Sequence, residues 1–386
     1  MKQIIYFLLI SPFCIDLMAQ SIMPEAPKID STSYILMEAN TNKVIAEFNS
    51  DNQIPPASMT KIMTVYVIAD QISLTPITLD DKVLISEKAW AKNVEGSKTS
   101  IEAGKKVSVK DLLSGIIIQS GNDASIAMAE YIGSGTEEGF VDLMNKYALK
   151  LGLADTLFVD STGLSNNNFS SAKDLAKLTQ ALINDFPDYY EEFKERSFTF
   201  NNRKQFNTNK LLWRDDTVDG VKTGYTEAAG YCLVSSAKRN DMRLIAVVTG
   251  SSSDSRRISS SQNLLNYGFR YFATSKLIIK NSKIKSAKVW GGKSDSVALG
   301  SEEDIFLTLP RRDFKDLLIN YKFKSNIQAP IQIGDNIGTM EFVSNDQVVL
   351  SSPLVAIEAV EAKGFFGRLW ARLLFWISSL FSMNND

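Results

Sequence analysis

Three features of this chain predict an α+β fold: runs of strand length near both ends of the region up to Phe272, capped helical patterns between them, and short alternating runs beyond Ser275. At 386 residues the chain exceeds one compact domain, so a large domain and a second, smaller module are expected.

Residues 34–37 and 44–48 are apolar runs on either side of Asn40-Thr41-Asn42 and predict a β-hairpin. Pro55 and Pro56 then precede Ser58 and a stretch, 59–69, that is apolar on every side. This predicts a buried helix opening at Ser58. Helix start and stop signals recur at Ser108 with Asp111, at 123–132 before Gly133, at 136–151 before Gly152, and at Ser171 with Asp174. Strands are expected at 197–200, 218–222, 230–237 and 243–249, the last three as an antiparallel set, and 259–272 returns to helix. One antiparallel sheet packed by helices accounts for this order.

Beyond that helix, Ile305-Leu307-Leu309, Tyr321-Phe323 and Ile331-Ile333 alternate between Gly, Pro, Asn and Asp, which predicts a small all-β domain over 276–360. It gathers no catalytic residue types and reads as scaffold or spacer. At the N-terminus, a basic start, an apolar stretch and the small residue Ala19 mark 1–19 as a secretory signal, leaving 20–275 as the main domain. At the other end, 361–386 hold a segment with Phe366, Leu369, Trp370, Leu373, Trp376, Ile377 and Leu380 on one helical face and Arg368 and Arg372 on the other. Its uncharged part is too short to span a bilayer, so it reads as a helix lying in the membrane interface; the alternative is docking on the protein's own surface.

The chain contains no histidine, which removes the commonest general base and the commonest transition-metal ligand together. Ser-His-Asp and Cys-His mechanisms are excluded. A net charge of −2 gives no general attraction to nucleic acid. Of the two cysteines, Cys14 lies in the signal and Cys232 reads as a core residue, so neither a disulfide nor a cysteine metal site is expected, and no cofactor is implied.

A hydrolase without histidine needs another base, and a lysine serves if burial holds its amine uncharged. Ser58-Met59-Thr60-Lys61 meets that need, because residues three apart share a helix face and the amine can reach the hydroxyl. Alone the pattern is weak, since the same spacing recurs at Ser170, Ser235 and Ser282. Ser120-Gly121-Asn122, on a turn between helical segments, reads by itself as a loop with cap residues. Lys222-Thr223-Gly224, at an expected strand end, reads by itself as a turn closing a hairpin. Specificity comes from the three together, in this order, in a chain carrying an export signal.

These motifs, with the phrases Pro-Ala-Ser-Met-Thr-Lys and Val-Asp-Gly-Val-Lys-Thr-Gly and the terminal amphipathic segment, resemble the low-molecular-mass penicillin-binding proteins, specifically the D-alanyl-D-alanine carboxypeptidases of serine peptidase family S11. The resemblance implies a transpeptidase-like domain acting on peptidoglycan stems that end in D-Ala-D-Ala and acylated by β-lactams. It makes Ser58 the nucleophile, Lys61 its base and Ser120 a proton relay to the leaving amine. Asn122 would hold the substrate amide, Lys222 would supply positive charge beside Lys61, and Thr223 would bind the terminal carboxylate. Gly224 would let substrate lie along the strand, with the backbone N–H groups of Ser58 and Tyr225 as oxyanion hole. Tyr225 stands where many relatives have histidine. Arg257, next to Arg256, corresponds to an arginine supporting carboxylate recognition, although a solvated cation at a helix start reads nearly as well. Class A β-lactamases use a glutamate for deacylation, and none occurs over 159–190, so slow release of penicillin is expected.

Overall fold

The computed structural model describes residues 23–367 and residue 370. The expected signal segment with Cys14, and nearly all of the expected C-terminal amphipathic segment, lie outside the described residues. The expected hairpin forms from β1 (Ser33–Glu38) and β2 (Val44–Phe48), and the chain then turns into α1 (Lys61–Leu74). A two-stranded ladder of β3 (Lys82–Leu84) and β4 (Lys106–Ser108) leads into α2 (Val109–Ser114), α3 (Asn122–Ile132), α4 (Glu137–Lys150), α5 (Ala172–Asp185) and the short α6 (Pro187–Tyr190). Three of these helices start as their sequences dictate: the side chains of Ser108, Thr136 and Ser171 each accept from the backbone N–H three residues on.

A hairpin of β5 (Ser197–Phe200) and β6 (Arg203–Phe206) precedes β7 (Val218–Thr226), β8 (Gly230–Arg239) and β9 (Met242–Ser251). The main sheet runs β2-β1-β9-β8-β7, antiparallel throughout, with β7 at one edge. Side-chain alternation along β9 sends Ile245 and Val247 into one core with α1 and α5, and Leu244, Ala246 and Val248 into another with α7 (Asp254–Tyr271). The helix expected at 259 thus begins five residues earlier, capped by Ser253, whose side chain accepts from Arg256 N–H. Nothing apolar marks that polar first turn, so periodicity alone placed the start too late. The expectation for α1 holds: every residue from Lys61 to Ala69 is buried.

β10 (Phe272–Ile278) pairs with β13 (Ile305–Pro310), and β11 (Lys285–Lys288), β12 (Ser296–Gly300), β14 (Leu318–Phe323), β15 (Asn336–Ser344) and β16 (Gln347–Ala356) form a second sheet in the order β11-β12-β16-β15-β14. Ile331 and Ile333 fall outside these strands; Ile331 makes only an isolated bridge to Val360. The junction of the two units is polar. The buried Glu38 carboxylate accepts from Asn40 N–H (3.0 Å) and Thr41 N–H (2.8 Å), and the Thr41 hydroxyl lies 2.8 Å from that of Thr308 on β13.

Candidate active site

Ser58 sits in a 3₁₀ turn, Ala57–Thr60, that runs directly into α1. The α-helix expected to open at Ser58 is therefore tighter at its start, with Ala57 held at φ +46° after the two prolines. The tightening favours the chemistry. With three residues per turn, side chains three apart eclipse, so Lys61 stands directly against Ser58. Its Nζ lies 3.2 Å from Ser58 Oγ, 2.6 Å from Asn122 Oδ1 and 2.7 Å from the Thr162 carbonyl.

These contacts define the protonation state the site favours. Asn122 Oδ1 and the Thr162 carbonyl only accept, so they engage two N–H groups of the amine. A neutral amine has two such donors and one lone pair, which is left for the Ser58 O–H. Burial pushes the Lys61 amine down from 10.5 to about 7, with the negative charges of Asp160 and Asp123 pulling the other way. Ser58 itself is only half-buried, whereas Lys61 is fully buried.

After α2 the helix widens into a π-turn over Gly115–Gln119 and ends at Ser120, whose φ of +65° is left-handed. The Ser120 hydroxyl is buried and has no hydrogen-bond partner among the described residues. Two residues on, Asn122 opens α3 and is locked from both sides, since its Nδ2 donates to the Glu95 carbonyl at 2.8 Å. The Asp123 carboxylate anchors that helix start by accepting from the N–H groups of Thr99, Ser100 and Ile101.

Lys222, Thr223 and Gly224 lie inside β7, not at a strand end. The strand continues through Tyr225 paired with Tyr231 and Thr226 with Gly230, so the hairpin closes later than the Gly224 signal suggested. A Cβ on Gly224 would come within 3.0 Å of the Pro56 carbonyl and 3.2 Å of Ala57 Cβ, which brings the sheet edge against the turn carrying Ser58. Thr223 Oγ1 donates to Thr208 Oγ1 at 2.8 Å, and Thr208 N–H donates to the Ile118 carbonyl at 3.2 Å, closing the ring back toward Ser120. Lys222 is buried, and its amine is driven well below its ordinary value by burial first, then by Lys61 and Arg257. Burial is the largest cause of the lowered value at both lysines.

Arg257 is not a solvated cation. It is buried on α7, donates to the Gly224 carbonyl (2.9 Å) and the Cys232 carbonyl (3.2 Å), and pairs with Asp254 at 2.6 Å. It braces the β7–β8 pair and reaches the site through that backbone. Arg256 is exposed. Cys232 is fully buried, as expected of a core residue, and burial pushes its thiol up to about 11. The Tyr225 ring is exposed and packs on Tyr231 with centroids 4.4 Å apart.

Sequence reasoning missed the loop that completes the site. Asp160 accepts from Thr162, Gly163 and Ser165 N–H groups, folding the loop so that the Thr162 carbonyl faces Lys61. Burial raises Asp160, but hydrogen bonds from Thr162, Ser165 and Asn168 outweigh it and hold the carboxyl below its ordinary value. Gly163, at φ +82°, rests on the Ala57 carbonyl, where a Cβ would fall 1.8 Å from that oxygen. The Asp-Ser-Thr-Gly run at 160–163 was the available signal for a side-chain-stabilised turn.

A profile of the family described as D-alanyl-D-alanine carboxypeptidase, peptidase S11, matches residues 20–253, and one described as the penicillin-binding protein 5 C-terminal domain matches 272–362. The chain is similar to D-alanyl-D-alanine carboxypeptidase DacC of Escherichia coli strain K12, 43% identical over 369 residues, 93% of this chain and 92% of that one. It is also similar to the crystal structure of penicillin-binding protein 5 from Haemophilus influenzae, with TM-score 0.82, 38% identity, and coverage of 88% of this chain and 99% of that one. Penicillin-binding protein D2 from Listeria monocytogenes, in its ampicillin-bound form, matches with TM-score 0.57 and 27% identity, over 64% of this chain and 100% of that one. With a half-buried serine set against a buried lysine, the other two motifs around them and relatives matched over most of its length, the chain belongs to the D-alanyl-D-alanine carboxypeptidase family, peptidase S11.

Proposed function

We propose that this chain is a serine D-alanyl-D-alanine carboxypeptidase that removes the terminal D-alanine from peptidoglycan pentapeptide stems and is covalently inhibited by β-lactams. The observation that carries the reading is the Lys61 amine, dry and 3.2 Å from Ser58 Oγ, with its N–H groups already engaged. In this mechanism Ser58 loses its proton to Lys61 as it attacks the penultimate D-alanine carbonyl, the oxyanion falling to the backbone N–H groups of Ser58 and Tyr225. Ser120, a buried hydroxyl without a hydrogen-bond partner among the described residues, passes a proton to the leaving amine as the C–N bond breaks. Substrate adds as a strand along the edge of β7, its amide held by Asn122 and its carboxylate by Thr223 and Lys222. Water then hydrolyses the ester. The stretch over 159–190 contains no glutamate to activate water against a bound penicillin, which supports inhibition over destruction.

Export through 1–19, a catalytic domain over 20–275, a β-domain over 276–360 and an interfacial anchor over 361–386 complete the reading, with the enzyme on the periplasmic side of the inner membrane. Phe365, Phe366 and Trp370 are exposed at the start of that last segment, and no helix among the described residues is long and apolar enough to cross a membrane. These observations support surface attachment.

Mass spectrometry of purified muropeptides after incubation is expected to show loss of one alanine per stem; cleavage of crosslinked dimers without that loss would make the enzyme an endopeptidase instead. Removal of 363–386 should release an active enzyme from membranes, and a truncated form that still sediments with vesicles would defeat the anchor assignment.

A further inference from the structure

Beside Ser120 a groove of about 540 Å³ runs between the segment 96–100 and strand β6, lined by Lys98, Gln119, Arg203, Lys204 and Phe206 among others. Its cations are uncompensated: among the described residues, none of Lys98, Arg203 and Lys204 forms an ion pair with a carboxylate. Phe206 is 58% exposed, and Lys204 Nζ sits 5.5 Å from its ring centroid. An unpaired basic cluster with an exposed aromatic, set in a concavity, is the chemistry of a site for an anionic chain with apolar stems.

One wall is tied directly to a proposed site residue. Asn122 N–H donates to the Ser97 carbonyl and Asn122 Nδ2 to the Glu95 carbonyl, each at 2.8 Å, so the 95–97 wall moves with the residue proposed to hold the substrate amide. On the other wall, Gln205 Nε2 donates to the Thr99 carbonyl at 2.8 Å and joins the strand bearing Arg203 and Lys204 to the segment bearing Lys98. We propose that this groove is a subsite for the upstream, carboxylate-bearing part of the stem peptide, a deepening that rests on the carboxypeptidase reading. The stem's glutamyl residue is linked through its side chain and keeps a free α-carboxylate. It lies roughly 10 Å upstream of the scissile bond in an extended peptide, and the groove begins at Gln119, next to Ser120.

The test compares a stem pentapeptide with free upstream carboxylates and the same peptide with those carboxylates amidated, using the full chain and its triple variant Lys98→Gln, Arg203→Gln, Lys204→Gln. The variant should lose about 10-fold in kcat/KM on the free-carboxylate stem, through KM, since exposed ion pairs are individually weak and three act together. The amidated stem and covalent labelling by a fluorescent penicillin should be unchanged, and the wild-type preference for the free-carboxylate stem should shrink as salt rises. Equal loss on both peptides, or loss on neither, overturns the subsite while leaving the enzyme assignment intact. Failure of the wild type to cleave either peptide overturns the enzyme reading itself.

Discussion

Ser58→Ala leaves a protein that unfolds at the wild-type temperature, takes up no fluorescent penicillin, and cleaves D-Ala-D-Ala stems on the order of 10⁴-fold more slowly or worse. The fold should be spared because Ser58 is half-buried and its hydroxyl's side-chain contact is the Lys61 amine. That amine keeps Asn122 Oδ1 and the Thr162 carbonyl, so no buried donor is orphaned by the change. Activity should fall that far because, among the described residues, Ser58 carries the hydroxyl that hydrogen-bonds the Lys61 amine. The rival nucleophile is Ser120, buried and without a hydrogen-bond partner among the described residues. Intact mass before and after incubation with penicillin, with peptide mapping of the adduct, separates the two. An adduct persisting in the Ser58 variant and mapping to Ser120 would exchange the roles of the two serines and defeat the mechanism.

The parts of this site that sequence made legible are those carried by side chains at short, fixed spacing. Ser58 and Lys61 were readable because a helical turn brings residues three apart together, and the 3₁₀ turn found there keeps that relation. The cap signals at Ser108, Thr136 and Ser171 were equally local, and each is present. What escaped was contributed by backbone from distant segments. The Thr162 carbonyl beside Lys61 and the Glu95 carbonyl on Asn122 have no residue type to announce them. Lys222 was placed at a strand end because Gly224 looks like punctuation. Only the packing of Gly224 on Pro56 and Ala57 shows that the glycine serves close approach within a strand. Arg257 illustrates the same limit, since a burial that lets it brace two carbonyls comes from the fold around it. In the β-domain, β16 runs through Pro353, and its pairing with β15 overrides a residue that sequence rules read as a strand breaker.

Replacement of Lys61 is the other change with a large expected effect, and the pH dependence of acylation reveals its cause. Lys61→Met keeps the buried volume but removes the base, and should slow acylation by penicillin on the order of 10³-fold, within the range of general-base catalysis. In the wild-type enzyme, burial has brought this amine down to about 7, and only the uncharged form can take the Ser58 proton. The acylation rate should therefore rise through an inflection near that value, with roughly one-tenth of the enzyme competent one pH unit below it and roughly nine-tenths one unit above. The sign of a second change follows from the same electrostatics. Asp160 favours the charged amine, so Asp160→Asn should move the inflection to lower pH. Stability carries the matching signature: between about 7 and 10.5 the unfolded chain binds a proton on Lys61 that the folded chain lacks, so unfolding free energy rises with pH across that window. Lys61→Met should reduce this slope, leaving the part that Lys222 contributes with the same sign. Stopped-flow acylation from pH 5 to 9 and denaturant unfolding over the alkaline window measure the two effects. An acylation rate flat through pH 7 would mean that the lysine is not the group that takes the serine's proton.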